Sequence, residues 1–197
     1  MNHYFENNEN LKSEIIKISF YFRGKSLEFL SDNGVFSKKS IDFGSSTLLQ
    51  YVENLSNKTS VLDVGCGYGT IGISLASLYP NTKFDLVDVN LRAVNLAKQN
   101  VINNNTLNVS VFESNVYENV KDTYDVIVTN PPIRAGKDVV HNIILNGYNY
   151  LNNGGSLWCV IQKKQGAPSA IAALEQKYKK VSVVAKEKGY YIIKAEK

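Results

Sequence analysis

The stretch Asn130-Pro131-Pro132-Ile133 holds two of the four prolines of the chain. It follows the apolar run Tyr124–Thr129, whose pattern predicts a buried strand. Prolines end a strand in a rigid loop with few hydrogen-bond donors, and the residue before a proline is held extended. The pattern therefore predicts that the Asn130 side chain is presented at the end of a strand with little freedom.

Glycines and carboxylates mark two further strand ends. Asp63 lies near the end of the predicted strand Ser60–Val64, and Gly65, Gly67 and Gly69 follow it. Glycines there let the backbone turn tightly and approach a ligand closely, and the helix that follows offers its N-terminal amides. Asp88 closes the next predicted strand, where a carboxylate can accept hydrogen bonds from both hydroxyls of a ribose.

Two interpretations of this glycine-rich loop are open on the residues alone. Gly67, Gly69 and Gly72 satisfy the dinucleotide fingerprint GxGxxG, and Asp88 lies about 20 residues further on. In the other register Asp63 precedes the glycines, and a buried carboxylate needs a cationic or donor partner. The ammonium group of a methionine moiety would supply that partner, whereas a pyrophosphate would be repelled. The glycines favour S-adenosylmethionine only modestly, and a purely structural role is a third, weaker alternative.

Hydrophobic periodicity predicts strands that alternate with helices, which is typical of βαβ units and of a mainly parallel sheet covered on both faces. In such a sheet, ligands bind beyond the carboxyl ends of the strands. The last two predicted strands meet at Lys188-Gly189 in a short hairpin, so one of them must run antiparallel. The predicted strands are 14–22, 25–30, 60–64, 83–88, 109–112, 124–129, 155–162, 180–186 and 190–195, and the predicted helices are 45–54, 70–79, 91–101, 136–151 and 168–178.

Length and composition are typical of one soluble domain, with 197 residues, 44% hydrophobic and 20% charged. We expect an N-terminal hairpin and loop extension over residues 1–44 and the main domain over residues 45–197, in one compact unit. No apolar run approaches the roughly 20 residues that cross a bilayer. Residues 1–10 lack the features of a signal peptide, so we expect a cytoplasmic protein with no membrane partner.

Cysteines and histidines give no sign of a metal site. Cys66 and Cys159 lie in apolar, strand-like contexts without metal-ligand spacing, and we expect them to be buried thiols of a reducing compartment. Neither His3 nor His141 has a partner at ligand spacing. We therefore predict no metal.

The net charge of +4 is unevenly distributed along the chain. Residues 134–197 carry eleven Lys or Arg against four Asp or Glu, whereas residues 1–133 carry eleven against fourteen. A basic C-terminal third favours a polyanionic partner such as nucleic acid. A solvated lysine surface explains the same charge equally well, so the charge alone does not decide between the two.

The segments 63–69 (Asp-Val-Gly-Cys-Gly-Tyr-Gly) and 130–133 (Asn-Pro-Pro-Ile) together resemble the class I S-adenosylmethionine-dependent methyltransferases that act on exocyclic or amide nitrogens. The wider pattern is similar to the methyltransferase small domain group, which includes ribosomal RNA guanine-N2 methyltransferases. That resemblance runs from about Ser31 to the C-terminus and also rests on residues 34–37, 42–45, 87–90 and 162–166. It implies an α/β, three-layer Rossmann-like fold with a mostly parallel seven-stranded sheet, an antiparallel last strand and an N-terminal β-hairpin.

The resemblance also implies S-adenosylmethionine as the cofactor. Asp63 and the glycine loop would lie near the methionine part, Asp88 would hold the ribose, and Asn115 would lie near the adenine. Asp is common at the last of these positions, and Asn115 keeps its geometry without its charge. The residues implied to contact the cofactor are Asp63, Gly65, Cys66, Gly67, Gly69, Asp88, Val89, Asn115, Val116 and Asn130.

The implied catalytic residues are Asn130, Pro131, Pro132 and Ile133. An exocyclic amine is a poor nucleophile because its lone pair is delocalised into the ring. The Asn130 oxygen and the Pro131 carbonyl would accept its N–H groups and turn the lone pair outward, so that catalysis is mainly positioning. Ile133 stands where an aromatic residue is frequent and offers only an apolar face, which weakens the case for adenine more than the case for guanine.

We expect the substrate to be structured RNA, and in particular the N2 amine of a flipped-out guanine in ribosomal RNA. A glutamine amide of a protein, the N6 amine of adenine, and a cofactor-binding module without turnover are the alternatives. Lysines would bind phosphates without reading sequence, although a solvated side chain is the commoner role of each lysine taken singly. Besides the N-terminal hairpin, the residues expected to contact the substrate are Phe36, Arg134, Lys137, Gln162, Lys163 and Lys164.

Overall fold

The computed structural model describes residues 12–197, and the predictions for residues 1–10 and for His3 lie outside that range. Strands and helices alternate along the chain. The strands are β1 (Ile16–Phe22), β2 (Lys25–Ser31), β3 (Ser60–Val64), β4 (Lys83–Asp88), β5 (Val109–Glu113), β6 (Tyr124–Thr129), β7 (Leu151–Gln162), β8 (Lys180–Glu187) and β9 (Tyr190–Glu196). The helices are α1 (Phe43–Tyr51), α2 (Thr70–Ala76), α3 (Leu91–Asn103), α4 (Lys137–Asn146) and α5 (Ala167–Glu175).

Seven strands form one sheet in the order β5-β4-β3-β6-β7-β9-β8. Strands β3 to β7 pair in parallel, and β9 pairs antiparallel with both β7 and β8. The predicted seven-stranded sheet with an antiparallel last strand is therefore confirmed. The strand order reverses between β3 and β6, and the carboxyl ends of parallel strands form a ligand crevice at such a point.

Each face of the sheet has its own hydrophobic core. Val61 packs into the core beneath α1, α2 and α3, and its neighbour Leu62 packs into the core beneath α4 and α5. Successive side chains of a strand point to opposite faces. Because both faces are covered, most positions of the central strands are apolar, and Asp63 of β3 and Asp85 of β4 are buried exceptions.

The antiparallel hairpin β1–β2 packs on α3. Phe29 of the hairpin is fully buried in the same core as α1, α2 and α3. The Asn100 amide accepts from the Leu30 N–H at 2.7 Å and donates to the Leu30 carbonyl at 3.0 Å. The Asn104 amide binds the Glu28 backbone in the same way, at 3.0 and 2.9 Å. Two side-chain amides thus take the place of a neighbouring strand, and the hairpin shares the core of the main domain.

Several predicted helix boundaries are wrong, and α1, α2 and α5 each end three residues before their predicted ends. Asp42, not Ser45, is the N-cap of α1, because its carboxylate accepts a hydrogen bond from the Ser45 N–H. The predicted helix over 136–151 is instead α4 flanked by the 3-10 turns Ile133–Ala135 and Gly147–Tyr150. Strand β7 begins at Leu151, four residues before its predicted start, because Leu151 already pairs with β6.

Both cysteines are buried and free of disulfides, as the sequence predicts. Burial raises the pKa of both thiols, that of Cys159 to about 12. Within residues 12–197, no cluster of three or more His, Cys, Asp or Glu side chains could hold a metal ion. No helix in this part of the chain is long and apolar enough to cross a membrane.

A candidate cofactor and substrate site at the strand ends

A cavity of about 220 Å³ lies at the carboxyl ends of β3, β4, β5 and β6, at the point where the strand order reverses. The loop after each of these strands contributes to its wall, and the first turn of α1 closes one side. The predicted site residues that line it are Phe36, Gly65, Cys66, Gly67, Asp88, Val89, Asn115, Val116, Asn130, Pro131 and Pro132. Predicted cofactor-binding residues and predicted catalytic residues therefore line the same cavity.

The glycine-rich loop turns its backbone toward the cavity. Gly65 and Gly67 have left-handed φ angles of +70° and +56°, which favour glycine, and a Cβ atom at either position would meet nothing within 4 Å. The Gly65 and Cys66 N–H groups are held by the Val87 carbonyl of β4, at 2.9 and 3.0 Å. The loop is thus fixed to the neighbouring strand while leaving open space in front of it.

Asp88 connects the glycine-rich loop to the end of β4. One carboxylate oxygen accepts from the Gly67 N–H at 2.8 Å, and the other accepts from the Asn90 N–H at 2.9 Å. Burial raises the pKa of Asp88, and these backbone N–H groups oppose the rise. Each oxygen keeps a further lone pair, so the carboxylate can still accept from two hydroxyl groups in the cavity.

Asp63 lies behind the cavity wall and is completely buried. Its Oδ2 accepts from the Gly72 N–H of α2 at 2.8 Å, but its Oδ1 has no hydrogen-bond partner within the described residues. Burial, with a smaller contribution from the charge of Asp88, raises the pKa of Asp63 to about 7. A buried carboxylate oxygen without a partner is destabilising in the free protein. An ammonium group at the adjoining glycine loop would offset that cost.

Asn130 is held by two residues of the α1 start. Its Nδ2 donates to Asp42 Oδ2 at 2.9 Å and to Ser45 Oγ at 2.9 Å. A carboxylate only accepts, so the amide nitrogen must face Asp42 and the amide oxygen must face away from it. No residue of the described range donates to that oxygen, and Asn130, Asp42 and Ser45 all line the cavity. The arrangement leaves one fixed hydrogen-bond acceptor for a ligand.

The hydrogen bonds from Asn130 to Asp42 and Ser45 were not predicted from the sequence, although both acceptors lie in a segment that contributes to the resemblance. A single oxygen, Asp42 Oδ2, accepts both the Ser45 N–H that begins α1 and the Asn130 amide. The available signal was the acid at a helix start, which predicts a cap. Nothing in the local pattern indicates the second contact, 88 residues along the chain.

Ile133 does not line this cavity, and its predicted place beside the substrate stays a prediction. The chain enters a 3-10 turn directly after Pro132, with the Ala135 N–H donating to the Pro132 carbonyl at 2.9 Å. That turn brings Ala135 to the cavity and carries Ile133 into a second, smaller cavity of about 190 Å³, which Lys137 also lines. Pro131, Pro132 and Ala135 form the apolar wall instead.

The other predicted site residues lie outside the cavity. Gly69 packs against Ile73 of α2, where a Cβ atom would lie 2.5 Å from the Ile73 side chain. Arg134, Lys163 and Lys164 are exposed in the segments that follow β6 and β7, and Gln162 is half-buried at the end of β7. Their roles in binding stay predictions.

Val116 shows backbone strain at the cavity wall. Its φ of 53° is left-handed, which is unusual for a β-branched residue and costs on the order of 1–3 kcal/mol. The Ser114 hydroxyl donates to the Val116 carbonyl at 3.0 Å and accepts from the Asn119 N–H at 3.1 Å. Ser114 thus fixes the strained loop that carries Asn115 and Val116 against the cavity.

Comparison with known families and proteins agrees with this geometry. The model of the methyltransferase small domain family matches residues 26–194. YbxB of Bacillus subtilis, an uncharacterised protein, is 50% identical over 197 residues, which is 99% of this chain and 98% of that protein. The ribosomal RNA small subunit methyltransferase C of Vibrio vulnificus is 32% identical over 183 residues, covering 91% of this chain and 52% of the relative.

A solved structure gives the same fold. The 16S rRNA N2 guanine methyltransferase (RsmC) of Thermus thermophilus, in complex with AdoMet and guanosine, superposes with a TM-score of 0.83 at 26% sequence identity. The match covers 95% of this chain and 52% of that one. The present chain therefore spans about half the length of the ribosomal RNA enzymes that it matches.

Proposed function

Since this chain belongs to the methyltransferase small domain family and uses S-adenosylmethionine, we propose that it methylates the exocyclic N2 amine of a guanine in ribosomal RNA. The observation that carries the proposal is the Asn130 amide, held by Asp42 and Ser45 so that its oxygen is left as an acceptor. A loop that merely ended a strand would need neither of these two contacts.

The residues around the cavity fit the cofactor. The unpartnered oxygen of Asp63 matches an ammonium group, and the open space before Gly65 and Gly67 admits a ligand close to the backbone. Asp88 has lone pairs left for ribose hydroxyls. Asn115 and Val116 line the side of the cavity expected to hold the adenine. S-adenosylmethionine supplies an electrophilic methyl group on its sulfonium.

The task of the protein is then to orient a weak nucleophile. The lone pair of an exocyclic amine is delocalised into the base, and acceptors for its two N–H groups favour the geometry in which that lone pair points outward. Asn130 offers its side-chain oxygen and Pro131 its carbonyl, and neither proline has a competing N–H group. Fixed acceptors of this kind lower the barrier because they need no reorganisation during the reaction.

Ribosomal RNA as the substrate is supported by relatives and by charge. The relative from Vibrio vulnificus and the structural neighbour are both named as ribosomal RNA methyltransferases. The basic C-terminal third adds an electrostatic attraction to any RNA. Guanine is favoured because the structural neighbour was solved with guanosine, and because the wall beside Asn130 has prolines and Ala135 where an aromatic ring would stack on adenine.

The proposal is tested by methyl transfer from labelled S-adenosylmethionine to purified fractions. Small ribosomal subunits, free ribosomal RNA and ribosomal proteins from a Bacillus subtilis strain that lacks YbxB are incubated separately, and labelled nucleosides are identified. N2-methylguanosine in the RNA is the expected product, and Asn130→Ala is the inactive control. Label in a protein glutamine or in N6-methyladenosine would replace the guanine assignment, and no transfer to any fraction would refute it.

A further inference from the structure

The turn between β8 and β9 lies directly beside the loop that follows β7. The Lys163 N–H donates to the Gly189 carbonyl at 2.8 Å, and Gln162 pairs with Tyr190 across the strands. Two basic segments that are distant in sequence therefore meet at the carboxyl end of β7 and form one basic rim there, with Lys186 on the α4 and α5 side, over Tyr191, and Lys188 on the α1 side, over Phe43. We call it the lysine cluster, and it consists of Lys163, Lys164, Lys186 and Lys188.

The charge of the lysine cluster is not neutralised by ion pairs. Within residues 12–197 none of its four lysines pairs with a carboxylate, whereas Lys180 and Lys194 of the same hairpin both pair with Glu196, at 3.4 and 3.0 Å. The single acid in these two segments, Glu187, accepts a hydrogen bond from the Tyr51 hydroxyl and forms no ion pair there. Four ammonium groups against one carboxylate leave a local excess of positive charge.

Aromatic rings restrain two of these lysines. Lys186 Nζ lies 4.8 Å from the centre of the Tyr191 ring, and Lys188 Nζ lies 4.9 Å from that of Phe43. The Phe43 ring in turn packs on Tyr190 at 5.4 Å. An ammonium over a ring face is attracted to it, and a restrained lysine loses less conformational entropy on binding. The surface is thus partly ordered before any ligand arrives.

The lysine cluster is also close to the loop after β6, which contains Asn130. Phe43, under Lys188, lies between Asp42 and Ser45, the two residues that hold Asn130. Lys163 and Lys164 follow β7, which pairs with β6, the strand that ends just before Asn130. An RNA strand whose base enters the cavity would therefore carry its neighbouring phosphates across this surface.

We propose that the lysine cluster binds the phosphates of the RNA strand on one side of the target nucleotide, an inference that rests on the proposed function. Of the four lysines in the cluster, the sequence indicated only Lys163 and Lys164 as substrate contacts. The packing adds Lys186 and Lys188, which no local pattern connects to the site. Because phosphate contacts position the nucleic acid without reading its sequence, the lysine cluster contributes affinity and orientation rather than the choice of base.

The test compares two double variants that remove the same charge. Lys186→Gln/Lys188→Gln alters the lysine cluster, and Lys177→Gln/Lys179→Gln alters the region just before β8, roughly 20 Å away along the strand. The control is closely matched, because Lys177 also lies over an aromatic ring, that of Tyr148, and neither control lysine pairs with a carboxylate within the described residues. Binding of in vitro transcribed Bacillus subtilis 16S ribosomal RNA is measured from about 0.05 to 0.3 M salt.

The cluster variant is expected to bind the RNA roughly tenfold more weakly at about 0.1 M salt, and its salt slope should fall by about 1 to 2, since each lost phosphate contact removes close to one. Its melting temperature and its affinity for S-adenosylhomocysteine should not change. Equal losses in the two double variants would mean that only net charge matters, and no loss in either would mean that this surface is not used. Either result overturns the inference while leaving the proposed function intact, provided that the wild-type protein binds and methylates the RNA. A wild-type protein that neither binds nor methylates this RNA or small ribosomal subunits refutes both.

Discussion

Exchanging the carboxylate of Asp42 and the amide of Asn130 tests whether their contact orients the target amine. In Asp42→Asn, the oxygen that accepts from Ser45 and Asn130 remains but loses its charge. Hydrogen bonds to charged groups contribute about 1.5–3 kcal/mol and neutral ones about 0.5–1.5 kcal/mol. The difference of about 1–1.5 kcal/mol predicts a five- to twelvefold loss of turnover. Stability should hardly change, because Asn caps a helix about as well as Asp.

The reverse change is expected to cost more. Asn130→Asp brings a second carboxylate to the position 2.9 Å from Asp42. Two like charges at about 4 Å repel by about 4 kcal/mol at an effective dielectric constant of 20, which corresponds to roughly 10²- to 10³-fold. The double variant Asp42→Asn/Asn130→Asp again pairs a donor with an acceptor, in the opposite sense. It should therefore regain at least about tenfold over Asn130→Asp alone.

The assay is single-turnover methyl transfer to ribosomal RNA, run beside melting curves and S-adenosylhomocysteine calorimetry on the same proteins. Asp125→Asn is the matched control, because Asp125 also accepts from a backbone N–H and from a side-chain amide, those of Thr59 and Asn152. Asp125 lies at the opposite end of β6, so its change should leave turnover intact. A double variant no faster than Asn130→Asp, or an Asp42→Asn protein with normal turnover, would refute the positioning role.

Four further predictions concern the cofactor and the buried carboxylate of Asp63. Asp88→Ala should weaken S-adenosylhomocysteine binding by about 1.5–3 kcal/mol in calorimetry, since it removes a charged acceptor, and unchanged affinity would mean that the ribose lies elsewhere. Affinity for S-adenosylhomocysteine should rise between about pH 6 and pH 8, because the ammonium group of this ligand requires the ionised form of Asp63, whose pKa is about 7. Asp63→Asn should abolish this rise. The raised pKa also favours the protonated folded state, so stability should fall from about pH 4 to pH 7, and Asp63→Asn should melt higher than wild type at pH 8. NAD should not bind, and NAD binding without a response to S-adenosylhomocysteine would restore the dinucleotide interpretation.

The central strands could be predicted from the sequence to the residue. Strands β3, β4 and β6 begin and end where they were predicted to, because burial on both faces makes most of their positions apolar. The start of α1 could not be predicted as surely. Ser45 and Asp42 are both good caps, and the choice falls on Asp42 because its carboxylate reaches the Ser45 N–H and a distant amide together. Local propensity contains no information about that second partner.

The site residues likewise fall into those that local sequence patterns predict and those that depend on contacts made by the folded chain. The glycine-rich loop, Asp88 and Asn130 could be predicted because each lies in a short pattern whose backbone form follows from glycine or proline. The side-chain direction of Ile133 could not, since it depends on a 3-10 turn that begins after Pro132 and exchanges Ile133 for Ala135 at the cavity. The contribution of Lys188 depends on the pairing of β9 with β7, which the sequence predicts only as a hairpin somewhere at the sheet edge.

The hydrogen bonds of the site connect separate elements rather than neighbours in sequence. Asp63 joins β3 to α2, Asp88 joins β4 to the glycine-rich loop, and Asp42 joins α1 to the loop after β6. Each of these carboxylates accepts at least one backbone N–H, so each is fixed by the main chain before any ligand binds. If the enzyme acts mainly by positioning, its rate acceleration depends on these supporting hydrogen bonds. A side chain that contacts the substrate loses its orientation when the residues that hold it move, even if the side chain itself is intact. A substitution that spares Asn130 but frees its amide should therefore lower turnover more than it lowers stability.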